Sequence, residues 1–178
     1  RMACALAPAL LAPAAARADW PSSPLTNVPV CIAPGAAMMR NTASDGQGGL
    51  IVAWTDTRSG VADIYAQRMT AAGSGAWASN GVKVCGASND QDQAFVVSDG
   101  SGGAIVDWRY MRAGPTGDLY VQRVTSTGLL AWPAAGVLVC GAANEQAAPV
   151  MVPDGFGGAI VVWEDFRSGV AIYAQRVR

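Results

Sequence analysis

The most prominent groups for chemistry in this sequence are pairs of an aspartate and an arginine. Asp56 and Arg58 recur as Asp165 and Arg167. At a spacing of two residues on an extended strand, both side chains of a pair leave the same side. Such a pair can contact an acidic or sugar ligand, but an aspartate beside an arginine more often binds that arginine and the amides of the adjacent turn. The second repeat carries Tyr110 and Arg112 at these positions.

Two tryptophans are the other candidate binding residues. Trp77 and Trp132 lie in loops rich in Gly, Ala, Ser and Pro, where an indole can stack on a sugar ring. Because the two residues recur in phase, packing of the loop over the neighbouring strands is the favoured alternative.

The composition excludes several classes of protein. The sequence of 178 residues has no histidine, which removes Ser-His-Asp and Cys-His catalytic groups and His-ligated metals. We predict no catalytic residue, no cofactor and no metal site, and an enzyme is the less favoured of the two functional classes. Hydrophobic residues make up 51%, charged residues 14%, and the formal net charge is −1. These values argue against nucleic-acid binding and against long disordered segments.

Residues 1–18 have the pattern of an export signal. An apolar, uncharged run over residues 4–16 precedes Ala16-Arg17-Ala18, which provides small residues at the positions that a signal peptidase requires. The run is too short to span a bilayer as a helix. We therefore expect secretion to the periplasm, the cell surface or the medium, and no membrane attachment after signal cleavage.

The rest of the chain, residues 19–178, is a repeat. The pattern Asp-Gly-x-Gly-Gly occurs at residues 45–49, 99–103 and 154–158, at offsets of 54 and 55 residues. The residues that recur in phase with it include Trp54, Trp108, Trp163, Cys31, Cys85 and Cys140. A repeat of this kind indicates duplication of one structural unit, so a residue present in every unit is structural by default.

Each unit contains four short strands. In the second unit these are residues 93–98, 103–108, 118–124 and 136–140, which are rich in β-branched and aromatic residues and bounded by turn residues. No window has the apolar period of a helix. Four antiparallel strands repeated in this way are typical of the blades of a β-propeller. An all-β sandwich is the alternative.

The predicted fold is therefore all-β, an arc of about three four-stranded propeller blades. The units lie near residues 38–85, 93–140 and 147–178, and residues 28–31 match a fourth strand that would complete the last blade. Three blades fall below the usual range of about four to eight. We expect the arc either to belong to a larger propeller or to self-associate.

The combined pattern D-G-x-G-G-x-I-V-x-W-x-D-x-R, then I/L-Y-x-Q-R, then a tryptophan followed by G-V-x-V-C, resembles propeller-type repeats of exported bacterial proteins. Those repeats are distantly similar in shape to sialidase-like propellers, and the resemblance covers about residues 20–178. Because no acid, base or nucleophile stands out from the repeat pattern, the favoured function is a non-catalytic binding or scaffold module that contacts protein or carbohydrate through blade loops. The sialidase Asp-box S-x-D-x-G-x-T-W does not occur here, so no sialidase catalytic residue is carried over.

The alternative function is a sialidase-like glycoside hydrolase fragment. It requires a pair of carboxylates across a central pocket. The nominations for such a pair are Asp107, Glu164 and Asp165.

The repeated residues have structural interpretations. We expect Trp54, Trp108 and Trp163 to be buried and the Asp-Gly-x-Gly-Gly turns to be exposed. One carboxylate per turn cannot supply the six or more oxygens of a calcium site. The strand arginines are expected to pair with the hairpin aspartates and, with the neighbouring glutamines, to brace adjacent blades. These residues are Arg68, Arg123, Arg176, Gln67, Gln122 and Gln175.

Cys31, Cys85 and Cys140 are predicted to remain free thiols. They occupy equivalent positions of successive units, which lie farther apart than the about 4.4–6.8 Å between Cα atoms that a disulfide requires. Thiol titration of the denatured mature protein without reductant should therefore recover three groups per chain. Recovery of one group would contradict the blade geometry.

Overall fold

The computed structural model describes residues 20–35, 37–111 and 116–178, and the predicted signal peptide lies outside them. The described residues form eleven β-strands and no helix, which confirms the all-β prediction. The strands are β1 (Ala37–Ser44), β2 (Leu50–Asp56), β3 (Asp63–Met69), β4 (Val82–Lys83), β5 (Gln91–Ser98), β6 (Ala104–Met111), β7 (Gly117–Val124), β8 (Val137–Cys140), β9 (Gln146–Pro153), β10 (Ala159–Asp165) and β11 (Ala171–Val177).

The strands form three antiparallel sheets, one for each repeat. Sheet 1 has the order β1-β2-β3-β4, sheet 2 the order β5-β6-β7-β8, and sheet 3 the order β9-β10-β11. Within each sheet, strands that are consecutive in the chain are paired, because the Asp-Gly-x-Gly-Gly turns and the loops that follow connect adjacent antiparallel strands. Within the described residues the three sheets do not close into a ring.

The sheets pack face to face through their first strands. β5 contacts β1 and β2, and β9 contacts β5, β6 and β7. Two hydrogen bonds connect the first strands of neighbouring sheets. The Val96 amide donates to Asn41 Oδ1 at 3.1 Å, and the Ala148 amide donates to Gln93 Oε1 at 2.9 Å.

The repeated tryptophans are buried, as the sequence predicts. Trp54, Trp108 and Trp163 are 3%, 0% and 4% exposed. Trp108 lies in the core between sheets 1 and 2, Trp163 lies in the core between sheets 2 and 3, and Trp54 packs against Val30 and Cys31.

The hairpin turns are only partly exposed, which corrects the sequence prediction. Gly100 and Ser101 are exposed, but the leading Asp99 is buried. Its Oδ1 accepts the amides of Ser101 at 2.8 Å and Gly103 at 2.9 Å, and its Oδ2 accepts Arg123 at 3.1 Å. The buried Gly103 amide needs this acceptor because it is held away from water. The equivalent aspartates Asp45 and Asp154 make the same bonds to their turns.

The strand arginines pair with the hairpin aspartate of their own sheet. The pairs are Arg68 with Asp45 at 3.0 Å, Arg123 with Asp99 at 3.1 Å, and Arg176 with Asp154 at 3.3 Å. Arg68 also reaches the next sheet, since a Cβ on Gly102 would stand 2.8 Å from its Nη1. Gly102 has φ +82 as well, so both the backbone conformation and the close guanidinium favour glycine.

The repeated glutamines bond within their own sheet, so their prediction as braces between blades is wrong. Gln122 Nε2 donates to the Pro133 carbonyl at 2.8 Å, and the Trp132 amide donates to Gln122 Oε1 at 3.0 Å. Gln67 holds the Trp77 loop in the same way. Gln175 donates to the carbonyl of Arg176 at 3.3 Å.

Residues 28–31 lie outside the strands and pack on sheet 1, where Val30 and Cys31 contact the cluster of Val52, Trp54 and Tyr65. Their role as a closing strand stays a prediction.

Replacing Trp108 by alanine should lower the free energy of unfolding by about 3–5 kcal/mol, because it removes a fully buried indole from the core between two sheets. Chemical denaturation measures the change. Phe156→Ala is the control, since Phe156 is 81% exposed at a turn and should change stability by less than about 0.5 kcal/mol. Equal effects of the two substitutions would contradict the packing.

Candidate functional site

The first aspartate–arginine pair is engaged in internal contacts. Asp56 Oδ2 accepts Trp54 Nε1 at 2.9 Å and Arg58 Nη2 at 2.5 Å, and Oδ1 accepts the Arg58 amide at 2.9 Å. The Arg58 guanidinium lies 4.0 Å from the centroid of the Tyr65 ring, and its Nη2 lies 3.0 Å from Cys31 Sγ. The hydrogen bond from Arg58 is the main cause that lowers the pKa of Asp56 to about 2, against the opposing effect of burial.

Sheet 3 repeats this arrangement. Asp165 accepts Trp163 Nε1 at 2.9 Å and Arg167 Nη2 at 2.6 Å, and Arg167 lies over the Tyr173 ring at 4.2 Å. The hydrogen bond from Arg167 lowers the pKa of Asp165. Arg167 Nη2 also contacts Cys140 Sγ at 3.3 Å. Both predicted pairs therefore connect a strand end to an aromatic pair and to the cysteine of a preceding segment, which is a structural role.

Sheet 2 departs from this arrangement at Tyr110. The Tyr110 ring packs edge-on against Tyr120 at 5.6 Å, and Trp108 Nε1 is buried without a hydrogen-bond partner in the described structure. Arg112 lies outside the described residues. The sheet retains the stacked Trp108–Tyr120 pair at 6.2 Å, so the aromatic packing persists where the aspartate is absent.

Of the two loop tryptophans, Trp77 is the one that is buried. It is 7% exposed, and its Nε1 donates to the Ser126 carbonyl of sheet 2 at 3.1 Å. A Cβ on Gly128 would stand 2.9 Å from its Cγ, so the indole packs directly on that glycine. The loop-packing alternative accounts for this residue.

Trp132 has a different environment. It is half-buried and lines a cleft of about 360 Å³ between sheets 2 and 3. The residues that line the cleft with it are Val121, Val137, Leu138, Val139, Gln175, Arg176, Val177 and Arg178. Apolar residues and an indole of sheet 2 therefore line the cleft together with Gln175, Arg176 and Arg178 of sheet 3.

The carboxylate oxygens of the hairpin aspartates are engaged in contacts within the protein. Each uses one oxygen for two turn amides and the other for an arginine. The part of the chain that the structure describes contains no group of three or more metal-ligating side chains.

A charged cluster that differs between repeats lies at the end of the sheets opposite the Asp-Gly-x-Gly-Gly turns. Arg109 Nε and Nη2 bind both oxygens of Asp92 at 2.8 and 2.7 Å, and Nη1 also binds Glu145 Oε1. The equivalents of Arg109 are Thr55 and Glu164, so among the described residues this three-residue cluster occurs between sheets 2 and 3 and not beside the equivalent strands. The sequence analysis missed it, although comparison of equivalent positions singles out Arg109.

Asp107 is the second departure from the repeat, at a position occupied by Ala53 and Val162 in the other units. It is fully buried, its Oδ1 accepts the Phe95 amide at 3.0 Å, and its Oδ2 has no partner in the described structure. The Phe95 amide is free because β5 bulges between Asp92 and Phe95. Burial raises the pKa of Asp107 well above its usual range. Of the three nominated carboxylates, Glu164 alone is exposed.

Comparison with known proteins yields a likeness of fold. No protein-family model matches the sequence, and no curated protein matches it. The structure is similar to that of an endo-arabinase from Bacteroides thetaiotaomicron VPI-5482, with a TM-score of 0.50 and 14% sequence identity. The likeness covers 88% of this chain and 61% of the endo-arabinase, so the chain spans about three fifths of that protein's length.

The described part of the chain contains no helix with the length and hydrophobicity of a bilayer-spanning segment.

Asp107→Asn should make the protein less sensitive to alkaline pH. The folded protein holds the Asp107 proton to a higher pH than the unfolded chain does. The stability that this proton contributes is complete below about pH 4 and is lost as the pH rises toward the pKa of the folded state. Asparagine keeps the acceptor for the Phe95 amide and cannot ionise.

The melting temperatures of the two proteins between pH 4 and pH 9 measure the effect. Asp107→Asn should gain stability relative to the unsubstituted protein as the pH rises. A difference that is constant across this range would show that Asp107 does not titrate as described.

Proposed function

We propose that this chain is an arc of a β-propeller that acts as a non-catalytic carbohydrate-binding module of an exported bacterial protein. The observation that carries the proposal is the cleft beside Trp132. It combines a half-buried indole with polar groups in a volume of about 360 Å³, within the range of small-molecule sites.

The polar groups of the cleft are suited to sugar hydroxyls. Gln175 is exposed and its amide nitrogen bonds only weakly, at 3.3 Å, to a neighbouring carbonyl. Arg176 and Arg178 pair with Asp154 at 3.3 and 3.4 Å, and their side chains are 45% and 61% exposed. An amide and two guanidinium groups provide donors, while the indole provides an apolar face for the C–H side of a sugar ring.

The likeness to an endo-arabinase favours carbohydrate over a protein ligand. The name of that enzyme denotes a carbohydrate substrate, and its fold covers 88% of the present chain. Arabino-oligosaccharides are therefore the first ligands to test.

The state of the carboxylates favours binding over hydrolysis. A glycoside hydrolase places an acid and a second carboxylate on either side of the scissile bond. Here Asp165 is held by Arg167, Asp107 is fully buried, and Asp92 and Glu145 share Arg109. Glu164 is the exposed member of the three nominated carboxylates.

Titration calorimetry with an arabino-oligosaccharide tests the proposal. Trp132→Ala should raise the dissociation constant about tenfold, since loss of aromatic stacking costs about 1.4 kcal/mol. Trp20→Ala, which removes a 39% exposed indole beside Gly73 and outside the cleft, is the control and should leave the affinity unchanged.

Two results would overturn the proposal. An absence of heat with arabino-, xylo- and gluco-oligosaccharides alike would remove the carbohydrate ligand. Release of shorter sugars by the purified protein would establish the hydrolase alternative instead.

A further inference from the structure

Residues 28–31 have the sequence of a fourth strand. They read Val-Pro-Val-Cys, against Val-Lys-Val-Cys at residues 82–85 and Val-Leu-Val-Cys at residues 137–140. In the other two copies the motif contains β4 and β8, the outer strands of sheets 1 and 2.

The N-terminal copy also makes the contacts of a fourth strand to the following sheet. Cys31 Sγ lies 3.0 Å from Arg58 Nη2 of sheet 1, as Cys140 Sγ lies 3.3 Å from Arg167 Nη2 of sheet 3. Residues 28–31 therefore occupy the same position beside sheet 1 that the end of β8 occupies beside sheet 3. What they lack among the described residues is a third strand beside them.

Pro29 is compatible with such pairing. It corresponds to Lys83, which lies one residue before Val84, and the Val84 amide donates to the Ile64 carbonyl at 2.8 Å. Amides alternate in direction along an antiparallel strand, so the amide at the position of Lys83 points away from β3. A proline at this position of an outer strand removes no bond of the ladder.

β11 offers the complementary edge. Its residues Ile172 and Tyr173 are equivalent to Leu119 and Tyr120 of β7, which pair with Cys140 and Leu138. No strand in the described ranges covers the outer edge of β11. As a result Ile172 is 67% exposed, whereas Leu119 is fully buried.

The face of sheet 3 that points away from sheet 2 is apolar as well. Val150 and Val152 on β9 are 49% and 55% exposed, while their equivalents Phe95 and Val97 pack in the core between sheets 2 and 3. A further sheet against sheet 3 would bury these side chains in the same way.

We propose that the edge of β11 is covered by residues 28–31 of a second copy of this chain. Sheet 1 of that copy then packs on the apolar face of sheet 3. By two-fold symmetry, residues 28–31 of the first copy cover β11 of the second copy. The two copies then form a ring of six sheets, within the usual range of about four to eight blades.

The residues 28–31 that cover β11 must belong to another copy, because contacts with sheet 1 hold these residues away from β11 of their own chain. Residues 28–31 lie on sheet 1, where the Arg58 contact and the bond from the Ile32 amide to Asn80 Oδ1 at 2.9 Å fix them. Sheet 2 packs between sheet 1 and sheet 3 of the same chain.

The oligomeric state of the unsubstituted protein is the first test. Sedimentation equilibrium at increasing concentrations should give twice the mass of the chain. A monomer at all concentrations, with cooperative unfolding, would overturn the proposal.

A cysteine cross-link tests the register. Because Leu119 pairs with Cys140, Ile172→Cys should place its thiol opposite Cys31 of the other copy. Under mild oxidation this variant should give at least about tenfold more covalent dimer than Leu129→Cys, whose position is equally exposed at 67% but lies on a turn of sheet 2.

Adding Cys31→Ser to Ile172→Cys should abolish the cross-link and leave the mass in solution that of two chains. If Ile172→Cys and Leu129→Cys cross-link equally, or if the cross-link survives Cys31→Ser, the proposed pairing is wrong.

Discussion

The buried hairpin aspartate is the constraint on which the rest of each sheet depends. Its carboxylate accepts two turn amides with one oxygen and the strand arginine with the other, as in Asp99 with Ser101, Gly103 and Arg123. These charge-assisted bonds fix the turn between the first two strands and attach it to the third. Because the arginine is partly buried, its charge needs this partner. Strand order, strand register and the position of the repeated tryptophan all follow from a hairpin closed in this way.

The repeat separates residues with a structural role, which recur in each unit, from residues that differ between units. Aspartate, arginine, glutamine and tryptophan at repeated positions bond to their own sheet or pack against the next one. The variable charges, Arg109 with Asp92 and Glu145, lie at the other end of the sheets. At the cleft beside Trp132 the repeated positions are more accessible, since Gln175 is exposed where Gln67 and Gln122 are buried. A ligand therefore has access there to groups that the other sheets use internally.

The sequence was sufficient to predict the strands and their grouping, because turn glycines and apolar runs are local signals. The predicted strand at residues 136–140 and the observed β8, Val137–Cys140, differ by one residue. The sequence was insufficient to predict the contacts between units. The burial of Asp99, the different environments of Trp77 and Trp132, and the Arg109 cluster depend on which neighbouring sheet contacts each residue. Spacing along the chain alone does not contain that information. Arg112, which with Tyr110 stands where the other units have an aspartate–arginine pair, lies outside the described residues.

The pairing of consecutive strands within each sheet also determines how the molecule folds. Each sheet consists of consecutive residues, so its pairing closes only short loops and costs little chain entropy before the sheets dock. Sheet 2 is the only sheet of the three that packs on both of the others. In such a linear array, stability is close to a sum over sheets and the interfaces between neighbours. Docking onto sheet 2 is accordingly the step that makes folding of the two outer sheets cooperative.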